Sequence, residues 1–92
     1  MIIRIATENQ YKLSDDAATK LNEIDNQCVA AVEAGDEARF QDLFNQMLEV
    51  VRSEGTLVDE DDIESSDIII PPPDLTFAEA QNEFTGDGLI PD

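Results

Sequence analysis

The stretch VAAVEAGDEARF, residues 29–40, contains the end of one helix and the start of another. Gly35 suits a helix end, because glycine adopts positive φ without strain. Asp36 suits the next helix start, because its side chain can accept a hydrogen bond from the first turn. Two helices joined by so short a turn run antiparallel. The sequence therefore predicts a helical hairpin.

The first helix of this hairpin is predicted to begin after Ser14, which serves as its N-cap. Asp15 and Asp16 follow in the first turn, where the helix dipole favours acids. Apolar residues then recur at every third or fourth position, which is typical of one helix face. They are Ala17, Leu21, Ile24, Cys28 and Val32. We interpret Cys28 as a small buried apolar residue.

The second helix is predicted to run from Asp36 to Gly55, with a fuller apolar face. The residues of that face are Phe40, Leu43, Phe44, Met47, Leu48 and Val51. Such a face could form a groove for a partner helix, but a chain of 92 residues needs every apolar stripe for its own core. We therefore expect it to be buried.

Strands are predicted before and after the two helices in the sequence. IIRIATENQYKL, residues 2–13, has the alternation of a β-hairpin, with TEN as its turn. Leu57 and Val58 are candidates for a short strand. SSDIIIPPPD, residues 65–74, contains a β-branched run that predicts a strand buried on both faces. Pro71 ends that strand, which predicts an edge position closed to pairing with another chain.

The last predicted element is a short helix that begins at Thr76 and continues through Phe84. TFAE, residues 76–79, has the spacing of a capping box, and GDG at 86–88 indicates a turn. We thus expect one α+β domain over residues 1–92. A small antiparallel sheet, made of the N-terminal hairpin and the proline-terminated edge strand, would pack on the antiparallel helical hairpin, with the short helix at the C-terminal end.

The chain is strongly acidic, with 5 basic and 22 acidic residues and a net charge of −17. Residues 1–50 carry 10 acids and 4 bases, whereas residues 51–92 carry 12 acids and 1 base. Nucleic acids and anionic membranes attract basic surfaces, so we expect neither nucleic-acid binding nor direct membrane binding. The charge favours a basic protein partner.

Catalytic chemistry finds little support in these residues. The chain has no histidine, which excludes histidine-activated nucleophiles and imidazole metal ligands. DEDDIE at 59–64 alternates like a calcium loop, but Glu64 stands where an EF-hand needs glycine and Ile70 where it needs glutamate. We interpret it as a solvated acidic run. We expect no enzyme activity, no cofactor, no metal site and no small-molecule substrate.

The location predicted from the sequence is cytoplasmic. MIIRI is too short and too soon charged for the apolar segment of a signal peptide, and no apolar run approaches the roughly 20 residues of a membrane span. A single cysteine agrees with a reducing compartment.

Taken in order, these segments resemble the PspA-associated proteins (PspAA), companions of phage-shock protein A (PspA) and Vipp1-type membrane-stress proteins. The resemblance rests on MIIRI, ENQYKL, LNEIDNQCVAAVEAGDEARF, EGTLV, SDIIIPPPD and GDGLIPD. It departs from the expected pattern at residues 6–8, where ATE stands instead of a stretch with glycine, and at Cys28, where an aliphatic residue is expected.

The resemblance implies a non-catalytic adaptor or regulator that binds a PspA-like coiled-coil protein and tunes its assembly or its action on membranes. Because PspA-like proteins carry basic, membrane-seeking helices, an acidic companion has a physical reason to bind them and to reach the inner face of the membrane through them. The candidate contact residues are Asp59, Glu60, Asp61, Asp62, Ser66, Asp67, Pro71 and Pro72. For Ser66, Asp67 and the prolines, a purely structural role as a rigid surface between the sheet and the last helix would explain the pattern equally well.

Two other interpretations of the acidity stay open at this point. An acidic inhibitor or an antitoxin-like protein would also bind a basic target without catalysis, although such a protein is expected to fold partly on its target. In a halophilic cytosol, the net charge would serve solubility and carry no message about a partner.

Overall fold

The computed structural model describes residues 1–59, 65–86 and 88–90. Within these ranges the chain forms four strands and three helices, and their order confirms the predicted α+β class. The strands are β1 (Ile2–Ile5), β2 (Gln10–Lys12), β3 (Thr56–Leu57) and β4 (Ile68–Ile70), and the helices are α1 (Asp15–Glu33), α2 (Glu37–Glu54) and α3 (Phe77–Glu83).

The two long helices begin and end where their capping residues predict. The Ser14 hydroxyl accepts a hydrogen bond from the Ala17 N–H at 3.2 Å. The Asp36 carboxylate accepts one from the Arg39 N–H at 3.1 Å. Gly35 between them has a φ of 71°, a left-handed conformation that glycine adopts without strain. Local chemistry therefore sets the hairpin, as the sequence predicted.

The capping box of α3 is also confirmed. The Thr76 hydroxyl accepts a hydrogen bond from the Glu79 N–H at 3.2 Å, and the Glu79 carboxylate accepts one from the Thr76 N–H at 3.1 Å. The bonds from the Thr76 N–H and hydroxyl hold the pKa of Glu79 below its usual value. These reciprocal bonds fix the start of a helix too short to be stable alone.

The sheet has the strand order β3-β2-β1-β4. β2 is antiparallel to both β1 and β3, but β4 is parallel to β1, with Ile3 opposite Ile68. The sheet is therefore mixed, whereas the sequence predicted an antiparallel one. No tight turn ties β4 to β1, because both long helices lie between them in the chain, and so long a connection permits a parallel neighbour. The predicted edge position of β4 is confirmed.

Only part of the isoleucine run in β4 is buried. Ile70 is 1% exposed and lies in the core, and Ile68 is half-buried against it, but Ile69 is 58% exposed. The expectation that all three isoleucines belong to the core is therefore wrong for Ile69. Successive side chains of a strand point to opposite faces, and the helices cover only the face that holds Ile70.

The turn between β1 and β2 contains the backbone conformation for which a glycine was expected. Thr7 has a φ of 67°, in the left-handed region that β-branched residues rarely adopt. Strain of this kind costs on the order of 1–3 kcal/mol and persists when the surroundings determine it. Here the Glu8 N–H donates to the Ile5 carbonyl at 2.8 Å, which closes the turn.

The helices pack together around an aromatic cluster. It contains Phe40 and Phe44 of α2, Phe84 at the end of α3 and the partly buried Phe77. The ring centroids of Phe40 and Phe84 are 5.2 Å apart, and those of Phe44 and Phe84 are 6.1 Å apart, both edge to face. This cluster holds α3 against the hairpin, and it confirms that the apolar face of α2 is core.

Candidate protein-binding surface

In the sequence, the residues predicted to contact a partner extend from just after β3 to just after β4. Glu60, Asp61 and Asp62 lie outside the described residues. Asp59 is exposed, Pro72 is half-buried and Pro71 is buried. Asp59 follows β3, whereas Ser66, Asp67 and Pro71 flank β4 at the opposite edge of the sheet, so the structure does not gather the described candidates at one edge.

Asp67 has a structural role at the start of β4. Its Oδ2 accepts a hydrogen bond from the Ile2 N–H at 2.8 Å, and its own N–H donates to the Ile2 carbonyl at 2.9 Å. Together the two bonds join β4 to the backbone of β1. The carboxylate therefore does here what a backbone carbonyl does elsewhere in a sheet.

Ser66 also makes an internal contact. The Gln10 side-chain amide donates to the Ser66 hydroxyl at 2.8 Å, and Gln10 is only 4% exposed. This bond gives a buried amide a partner on the sheet face that does not carry the main core. Ser66 and Asp67 together fix the entry of the chain into β4, so their side chains have a role independent of any partner.

The buried carboxylate of Asp25 was not predicted from the sequence. Asp25 of α1 is fully buried, and its two oxygens accept hydrogen bonds from the backbone N–H groups of Leu89 at 3.0 Å and of Ile90 at 2.9 Å. Gly88 lies against the same carboxylate, since a Cβ atom there would be 2.6 Å from Asp25 Oδ2. The contact ties the C-terminal segment to the first helix.

A signal for this contact was present in the sequence. Asp25 lies four residues after Leu21 and three before Cys28, so it occupies the apolar face of α1. An acid on a buried face requires hydrogen-bond donors, and backbone N–H groups are one source of them. The pattern could have indicated that Asp25 is bonded, but not that its donors are 64 and 65 residues away.

Cys28 is fully buried next to Asp25, as the apolar pattern predicted. Burial raises the pKa of its thiol from 9.0 to about 12, and the charge of Asp25 acts in the same direction. The folded state thus binds this proton more tightly than the unfolded state does. The thiol has no effect on the pH dependence of stability below about pH 9, and it lowers stability between about pH 9 and about pH 12.

We therefore expect Cys28 to resist iodoacetamide in the folded protein at pH 8. The raised pKa alone lowers the thiolate fraction about 1000-fold, and burial denies the reagent access. Labelling followed by mass spectrometry, in buffer and in urea, measures this difference. Native labelling as fast as in urea would contradict the buried, protonated thiol.

Metal binding and membrane spanning find no support in the ranges that the structure covers. No group of three or more acidic or cysteine side chains there lies close enough together to hold a metal ion. None of the helices in those ranges has the length and hydrophobicity needed to span a bilayer.

Comparison with known proteins gives one result. No curated protein matches the chain, and no solved structure matches it. A protein family does: the family described as PspA-associated protein (PspAA) matches residues 1–92, the whole of the sequence. It is not a known enzyme family. The α+β fold and a match of this extent agree with the ordered resemblance found in the sequence, and the chain belongs to the PspA-associated protein family.

Proposed function

We propose that this protein is a non-catalytic acidic adaptor or regulator, which binds a PspA-like coiled-coil protein and tunes its assembly or its action on membranes. The observation that carries the proposal is the family match over residues 1–92, since that family is named for association with PspA. The chemistry of the chain supports it. A net charge of −17 suits a basic protein partner.

The uneven charge suggests how the partner is reached. Residues 51–92 carry 12 acids and 1 base, so the acidic field is strongest around the second part of the chain. Such a field speeds the encounter with a basic surface, to about 10⁸ M⁻¹s⁻¹ in favourable cases at low salt. It acts over roughly the Debye length and needs no fixed side-chain geometry. The acidic run that begins at Asp59 would steer the partner in this way.

The internal contacts of Ser66, Asp67 and Pro71 refine the proposed contact surface. Because these residues fix β4, their substitution would change the fold as well as binding. Among the described candidates, Asp59 and Asp67 are exposed, Ser66 and Pro72 are half-buried and Pro71 is buried. We therefore assign the steering role to the acidic run and regard Ser66 and Asp67 as residues that fix β4.

Calorimetry with the PspA-like protein of the same organism tests this proposal. We expect saturable binding at about 50 mM salt that weakens at least tenfold at about 500 mM, because salt screens charges beyond a few ångströms. Converting the acids of residues 59–62 to their amides should weaken binding at low salt and reduce the salt dependence. Absence of binding at both salt concentrations would overturn the proposal.

A matched control separates the acidic run from net charge alone. Four exposed helix acids, changed as Asp16→Asn, Glu23→Gln, Glu33→Gln and Glu37→Gln, remove the same charge from the other part of the chain. We expect this control to lose less affinity than the variant of residues 59–62. Equal losses would show that total charge acts without regard to position.

A further inference from the structure

An open groove runs along the seam between α1 and α2. Its floor is aliphatic: Ile24 of α1 is 8% exposed and Val50 of α2 is half-buried. The residues that line it are Lys20, Ile24, Asp42, Asn45, Gln46, Glu49 and Val50. Its lining surface is mostly apolar although most of the residues along it are polar. The aromatic cluster and the sheet leave this surface uncovered.

The charges along the groove are not balanced. Lys20 forms a salt bridge to Glu54 at 3.0 Å, so the positive charge of Lys20 is compensated by that carboxylate. Asp42 and Glu49 are exposed on α2. Asp42 accepts a hydrogen bond from the Gln46 side chain at 3.1 Å, and this neutral amide brings no positive charge to the carboxylate. Seven residues along a helix span about 10.5 Å, or two turns. The groove thus presents two acids, two turns apart, beside an apolar floor.

We propose that the groove between α1 and α2 is the docking site for a basic amphipathic helix of the PspA-like partner, with an aliphatic side chain on Ile24 and Val50 and Lys or Arg side chains at Asp42 and Glu49. The proposal rests on the proposed function and specifies its contact surface. The acidic run brings the partner near, and the groove fixes its position.

The geometry favours a helix over other occupants. A helix laid in a groove between two helices anchors through residues at i, i+3 or i+4, and i+7. Basic residues at i and i+7 match the two-turn spacing of Asp42 and Glu49, and an apolar residue between them meets the floor. A second copy of this chain fits poorly, because each copy carries −17 and the groove would face like charges.

The test compares two charge-reversed proteins with the same net charge. Asp42→Lys with Glu49→Lys reverses the groove, and Glu33→Lys with Glu83→Lys reverses two exposed helix acids elsewhere. Each pair raises the net charge from −17 to −13, since every reversal adds two units. We expect the groove pair to weaken binding to the PspA-like protein at least tenfold and the control pair no more than about threefold. Circular dichroism checks that both remain folded.

A second readout uses the wild-type protein. In NMR titration with the PspA-like protein, the methyl signals of Ile24 and Val50 should shift or broaden, while that of the exposed Ile69 on the sheet should not. Equal losses of affinity for the two charge-reversed pairs, or unchanged methyl signals of Ile24 and Val50 at saturation, would overturn the groove as the docking site. Either result would leave the proposed function in place. Absence of wild-type binding would overturn both.

Discussion

Asp25→Asn is expected to lower the free energy of unfolding by about 2–4 kcal/mol. The carboxylate offers one oxygen to the Leu89 N–H and the other to the Ile90 N–H. An asparagine amide has nearly the same shape but only one oxygen, so one of these N–H groups would face an NH₂ group. Removing a buried charge gives back part of this loss, because its desolvation cost disappears, but an unsatisfied buried donor outweighs that gain.

Thermal unfolding followed by circular dichroism measures this loss. For a domain of this size each kcal/mol shifts Tm by about 4–8 °C, so the shift should be at least about 8 °C. Glu23→Gln is the control, since it removes one exposed charge from the same helix and should leave Tm within about 3 °C. If the two variants unfold at the same temperature, the link between α1 and residues 88–90 contributes little.

Phe44→Ala is expected to lower the free energy of unfolding by about 3–5 kcal/mol. The ring is fully buried, and it contacts Phe40 at a centroid distance of 5.6 Å and Phe84 at 6.1 Å. Its removal leaves a cavity where α2 meets α3 and takes away two ring contacts. Since a chain of 92 residues has a total stability of roughly 5–14 kcal/mol, this single change removes about a fifth of it or more.

Urea unfolding measures the effect, with Phe77→Ala as the internal comparison. Phe77 belongs to the same cluster but is only partly buried, and it contacts Phe40 at 5.9 Å. We expect its removal to cost less than half as much. A milder variant, Phe44→Leu, keeps most of the apolar volume and should fold, so it reports the ring contacts alone. A loss at Phe77 equal to that at Phe44 would contradict the central place of Phe44.

The helices could be predicted from the sequence because their signals are local. Ser14, Asp36 and Thr76 accept bonds from residues three positions away, so each cap can be found in a few letters of sequence. The same holds for Gly35, whose positive φ ends a helix. The family match over residues 1–92 agrees with a prediction that rested on the order of such segments.

The direction of β4 and the exposure of Ile69 could not be predicted in the same way. A run of three isoleucines indicates a strand, but it does not say which neighbour the strand pairs with or how much of each face is covered. Those properties depend on contacts between β1 and β4, such as that of Ile3 with Ile68. The buried Asp25 is a third case, since its donors come from the far end of the chain.

For the candidate surface, the sequence indicated its acidity but not which of its residues make internal hydrogen bonds that stabilise the fold. The sequence leaves two roles open for Ser66 and Asp67, contact with a partner and structural support. In the structure one accepts a hydrogen bond from Gln10 and the other bonds the Ile2 backbone. The groove between α1 and α2 was not predicted, because Asp42 and Glu49 read as ordinary solvent-facing acids.

The link from Asp25 to Leu89 and Ile90 has a consequence for how the protein is made. Synthesis proceeds from the N-terminal side, so α1 and α2 leave the ribosome well before their last partners do. Until residues 68–70 and 88–90 follow, β1 lacks its parallel neighbour, and the carboxylate of Asp25 lacks two of its donors. The hairpin can form early, but closure of the sheet and core must wait until residue 90 has been made. Nascent chains that stop short of residue 88 would thus expose apolar surface that the later segments normally bury, which makes them substrates for chaperones and proteases.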